Sequence, residues 1–111
     1  MGYANKEHSM SVMMGLRISV DPKRFEEVVN GNRERLMSVS ERAKRHGAMS
    51  HAFYASEAGD EVLVVDVWPD SESFQQFFSS SPEIGEMMGE AGVTSEPQPV
   101  FWHDMDTPDK F

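Results

Sequence analysis

Residues 11–20 alternate strictly. Val12, Met14, Leu16 and Ile18 fall on one side of an extended chain, and Ser11, Met13, Gly15, Arg17 and Ser19 on the other, which is the period of a strand. Asp21-Pro22 follows, an N-cap residue ahead of a proline suited to the first helical position. From there Phe25, Val28, Val29, Leu36, Val39 and Ala43 recur at helical spacing and mark one apolar stripe running to about His46. Asn30-Gly31-Asn32 interrupts the stripe at a point where the helix is expected to kink or restart, and Gly47 is placed to end it.

Residues 48–55 read as a short second strand, with His51, Phe53 and Ala55 on one face and Ser50, Ala52 and Tyr54 on the other. A turn containing Gly59 leads into residues 61–68, where both faces are apolar: Val62, Val64 and Trp68 on one, Leu63, Val65 and Val67 on the other. A strand of that kind lies centrally and is covered on both sides. Asp70 or Ser71 can cap a helix presenting Phe74, Phe77 and Phe78, residues 79–82 break it, and Ile84, Met87, Met88 and Ala91 resume the spacing before Gly92. Residues 99–105 resemble a last strand, entered past two prolines in the manner of an edge.

The order strand, helix, strand, strand, helix, strand predicts an α+β ferredoxin-like βαββαβ fold with a four-stranded antiparallel sheet and helices on one face. Since strand three is apolar on both faces, a second copy of the chain is expected against the other, making a homodimer. Residues 11–106 are read as a single domain, residues 1–10 as a flexible arm, and residues 107–111 as a tail whose terminal Phe111 crosses the partner subunit.

Composition narrows the chemistry. The chain of 111 residues has no cysteine, so disulfides, thiolate nucleophiles and cysteine-ligated metals are excluded and a cytoplasmic location is the expectation. No stretch approaches the roughly 18 apolar residues of a membrane span, and no membrane association is expected. A net charge of −9 argues against nucleic acid. The charge is unevenly placed. Residues 1–50 carry nine Lys/Arg against six Asp/Glu, whereas residues 51–111 carry one against thirteen. The basic stretch from Arg33 to Arg45 reads as a solvated helix face, or as a surface that docks on the acidic half of a neighbouring subunit.

The segment VVDVWPDSESFQQFF, in which Trp68 closes strand three before an acidic capped turn and a helix bearing Phe74 and Phe77, resembles the antibiotic biosynthesis monooxygenase-like group of dimeric α+β barrels. The resemblance in layout covers about residues 11–106. It implies a cavity lined by Trp68 and, in the catalytic members, oxidation of aromatic or polycyclic molecules without a cofactor. The first strand lacks the Asn that such members often carry, and residues 70–92 lack the His with which haem-degrading relatives bind their ligand, so haem degradation is disfavoured.

Among the residues themselves, Asp66 shares a face with Trp68 and is the first candidate for a general base, or else a structural carboxylate paired with Arg17. His51 is the second candidate, because histidine exchanges protons near neutral pH; His103, on the last strand, offers the same chemistry. Neither belongs to a recognisable metal site, since no third ligand stands at a suitable spacing, and no cofactor motif is present. Trp68, Phe74, Phe78, Met87, Trp102 and Tyr54 are the candidate ligand-binding residues for a small aromatic molecule. Trp68 is expected to point toward the helices, with the pocket opening beside the second helical segment, where residues 79–82 form a hinge. The alternative function is a non-catalytic binding or structural dimer whose cavity is filled by its own side chains.

Overall fold

A computed structural model describes residues 11–111; the expected arm, residues 1–10, lies outside the described residues. The elements are β1 (Val12–Ser19), α1 (Pro22–Gly31), α2 (Arg33–Arg45), β2 (Ser50–Ala55), β3 (Glu61–Trp68), α3 (Ser71–Ser79), α4 (Pro82–Glu90) and β4 (Val100–Trp102). The strands form one antiparallel sheet in the order β2-β3-β1-β4, which is the ferredoxin-like arrangement with two helical segments laid on one face.

Each long helical region is divided where its sequence is weakest, and each division is fastened. Between α1 and α2, the Asn32 amide donates to the Val28 carbonyl at 2.9 Å and to Glu90 at 3.1 Å. Between α3 and α4, Ser81 is buried; its hydroxyl donates to the Phe77 carbonyl at 2.8 Å and accepts from Arg42 at 3.0 Å. The expected hinge is therefore a tied joint. Helix starts follow their caps: Asp21 accepts from the Lys23 N–H and Asp70 from the Ser73 N–H, which holds the Asp70 carboxyl below the usual carboxylate range. At the end of α2 the chain turns through Gly47 at φ +104°, where a Cβ would come within 2.7 Å of the Pro69 ring; only glycine suits both the angle and the space.

The basic and acidic halves of the chain meet inside this one molecule. Arg42 on α2 makes two parallel 3.0 Å bonds to Glu83 on α4, and Arg35 pairs with Glu86 and Glu90. Arg24 on α1 reaches the Glu90 carbonyl at 2.8 Å. The Arg42 guanidinium holds the Glu83 carboxyl down to about 2. Arg35 and Arg42 of the basic stretch thus find acidic partners on α4 of the same chain.

Strand parity separates the sheet into two faces. Val12, Met14, Leu16 and Ile18 of β1 stand opposite Trp68, Asp66, Val64 and Val62 of β3, all buried under the helices. The alternate residues, Met13, Leu63, Tyr54, Val100 and Trp102 among them, lie on the uncovered face. There Arg17 pairs with Glu61 at 2.8 and 2.9 Å, and the indole of Trp102 lies over Gly15, its Nε1 3.7 Å from the position a Cβ would take. β4 is shorter than the seven residues expected, because Trp102 already pairs with Met13 and β1 offers no ladder beyond Val12.

Candidate functional site

The register of three strands places Met14, Asp66 and His51 side by side on the helix-covered face. Asp66 is 6% exposed. A buried carboxylate is tolerated only when its oxygens are satisfied, and here each has a separate donor. Oδ1 lies 2.7 Å from Nδ1 of His51, and Oδ2 accepts the indole N–H of Trp68 at 3.1 Å. The second bond follows from strand geometry, since residues two apart share a face. The first needs the β2–β3 register.

An ionised carboxylate only accepts and an indole N–H only donates; with Asp66 ionised, the proton of the short contact is carried by Nδ1 of His51 and Nε2 is left as the basic nitrogen. His51 is about half exposed and can exchange its proton with solvent, whereas Asp66 cannot readily do so. The arrangement is a histidine oriented by a buried carboxylate, which is in turn held by a fully buried tryptophan.

Trp68 is fixed by aromatic neighbours: Phe74 edge-on at 5.6 Å and Phe77 tilted at 5.3 Å. Phe74 continues the cluster to Phe78 at 5.5 Å and to Phe101 at 5.6 Å. Between this wall, the sheet and α2 lies a cavity of about 470 Å³, within the range of small-molecule sites. Asp66, His51 and Trp68 border it, as do Phe74, Phe78 and Met87. Its exposed rim is formed by Met37 and Lys44 of α2, by Met49, and by His51 and Phe53 of β2. The mouth therefore opens between α2 and β2, while α3 and α4, expected to flank the opening, form the closed wall.

Six of the eight residues singled out from sequence thus meet at one cavity. Tyr54 and Trp102 do not. Tyr54 stands opposite Leu63 and Trp102 opposite Met13, so both project from the uncovered face at more than half exposure. The parity of β4 sends Phe101 to the helices instead. Arg17 is likewise on the far face, and the partner of Asp66 is His51. His103 approaches the Ser11 carbonyl at 3.3 Å, away from the cavity. Phe53, which the strand alternation puts on one face with His51 but which is not among the candidate ligand-binding residues, borders the cavity; its ring meets His51 at 4.7 Å and Phe25 at 5.1 Å. No group of three or more His, Asp or Glu able to hold a metal occurs among the described residues.

No protein-family model and no curated protein sequence matches this chain. Solved structures do match along nearly its whole length. SnoaB, a cofactor-independent oxygenase from Streptomyces nogalater, is 14% identical, with 90% of this chain and 98% of that one covered at a TM-score of 0.60. A monooxygenase from the gene ActVA-Orf6 of Streptomyces coelicolor, solved with the ligand nanaomycin D, is 18% identical over 96% of each chain at a TM-score of 0.63. A dimeric ferredoxin-like protein from an uncultured marine organism is 9% identical, covering 97% of this chain and 99% of the other at 0.66. Identities this low establish architecture and leave chemistry to the residues. The chain has the ferredoxin-like α+β fold shared by the antibiotic biosynthesis monooxygenase-like proteins.

Proposed function

We propose that this chain acts as a homodimer in which each subunit binds a small planar aromatic molecule in the cavity between sheet and helices, and oxidises it without a cofactor. One observation carries the reading: the chain of hydrogen bonds from Trp68 through Asp66 to His51 ends at the mouth of an apolar cavity. In this reaction Nε2 of His51 takes the hydroxyl proton of a phenolic substrate, and Asp66 stabilises the imidazolium that forms. The phenolate then supplies the electrons. It reduces O₂, a C–O bond forms at an electron-rich ring carbon, and the resulting peroxide loses water to leave a quinone, so that one oxygen atom stays in the product and the other departs as water. No external reductant is required. The oxygenase names among the structural neighbours support the class of chemistry, the dimeric neighbour supports a second copy, and the exposed Met13, Tyr54, Leu63 and Trp102 support its place on the uncovered sheet face.

The test is oxygen uptake and quinone absorbance with bicyclic and tricyclic phenols. Asp66→Asn and His51→Ala are expected to lower turnover by about two to four orders of magnitude, the usual contribution of a general base, while calorimetric binding of the phenol persists. Undiminished turnover in both variants would remove the dyad from the mechanism. Binding without oxygen uptake in the native protein would instead favour the non-catalytic binding dimer.

A further inference from the structure

The polar groups bordering the cavity are few, and they are not evenly placed. Its walls are formed chiefly by Met14, Leu16, Phe74, Phe77, Met87 and other apolar side chains, and the one carboxylate, Asp66, has both oxygens occupied. Among the described residues, Lys44 is the only permanently cationic side chain on the lining; it sits on the exposed rim, with Ser40 one helical turn before it and His51 across the mouth on β2. Lys44 has a partner, Glu41, at 3.3 Å, but both side chains are more than half exposed. A pair of that kind, three residues apart on a helix and open to solvent, is weak. Its ammonium can therefore transfer to a better-placed anion at little cost. Arg42 and Arg35, by contrast, are committed to α4.

We infer that the ligand of this cavity is an amphiphilic acid: an apolar planar body inside, and a carboxylate at the rim held by Lys44 with the Ser40 hydroxyl as a second donor. The inference deepens the proposed function and rests on its reading of the cavity as a ligand site. It adds a specificity rule, since a neutral aromatic of the same shape fills the interior but leaves Lys44 with Glu41. It also fixes the direction of entry. The acidic end faces α2, and the ring edge beside it comes next to His51.

Calorimetric titration of the full chain with anthracene-2-carboxylate and with anthracene-2-carboxamide tests this directly. The carboxylate is expected to bind roughly three- to tenfold more tightly than the amide at low salt, with the advantage shrinking at high salt. Lys44→Met should abolish the preference, Lys44→Arg should retain it, and Glu41→Gln, which releases the competing partner, should increase it. Equal affinities in the native protein, or a preference that survives Lys44→Met, would overturn the assignment of Lys44 while leaving the cavity reading intact. Failure of both compounds to bind would overturn the cavity reading, and the inference with it.

Discussion

The two faces of the sheet are built from alternate residues of the same strands, yet they solve different problems. On the covered face, Met14, Trp68 and Asp66 are buried by helices belonging to the same chain, and both oxygens of the buried carboxylate are matched, one by Trp68 and one by His51 at the cavity mouth. On the other face Met13, Tyr54, Leu63 and Trp102 are left 39–56% exposed in the single chain. A contiguous apolar surface of this kind normally meets another surface. The contrast shows that one strand sequence can carry two instructions, one for internal packing around a site and one for assembly, with parity keeping them apart.

Three perturbations probe that division. The largest effect is expected at Phe77, which packs on Trp68 under the helices: Phe77→Ala should cost about 3–5 kcal/mol of stability in denaturant titration, and a loss below about 1 kcal/mol would mean that the aromatic wall is not load-sharing. A charge on the opposite face should act differently. Leu63→Lys is expected to leave the stability of the isolated subunit within about 0.5 kcal/mol but to weaken self-association by at least about tenfold, near 1.4 kcal/mol, in sedimentation. Unaltered association there would mean that the partner sits elsewhere. The smallest effect concerns the tie above the cavity. The Glu83 carboxyl titrates at about 2 when folded against an ordinary value near 4.5, so its contribution is complete above pH 4.5 and is lost as the pH falls toward 2. The difference in melting temperature between the native chain and Glu83→Gln should accordingly be present at pH 6 and vanish near pH 2. A difference independent of pH would trace to packing instead of charge.

Most of the architecture was legible because it depends on local signals. The alternation of 11–20, the two-sided strand 61–68 and the capping residues Asp21 and Asp70 each report on their own segment, and the element order then leaves few topologies. The pairing of Asp66 with Trp68 was also readable, being a matter of two residues on one strand. The bond from Asp66 to His51 was not, because it is set by the register between strands that the turn around Gly59 establishes. Trp102 and Tyr54 failed for a related reason. Aromatic content nominates a pocket residue without saying which way it points, and in β4 one step along the strand exchanges Trp102 for Phe101. The charge asymmetry was visible as a count, but its resolution between α2 and α4 required the helices to be laid side by side.

The sheet order has a kinetic consequence. Among the described residues β1 pairs with β3 and β4 alone, so its ladder partners begin at Glu61 and at Val100, and this strand must wait for much of the chain before its backbone groups find those mates. The β2–β3 hairpin has no such delay. It closes locally through Ser56, whose hydroxyl accepts from the N–H groups of Asp60 and Glu61. Folding is therefore expected to start at the hairpin, which brings His51 and Asp66 together early, and to be limited by the long-range docking of β1. Until then its apolar residues have only the helices α1 and α2 to shelter against, and the emerging chain is at its most prone to aggregate before β3 leaves the ribosome.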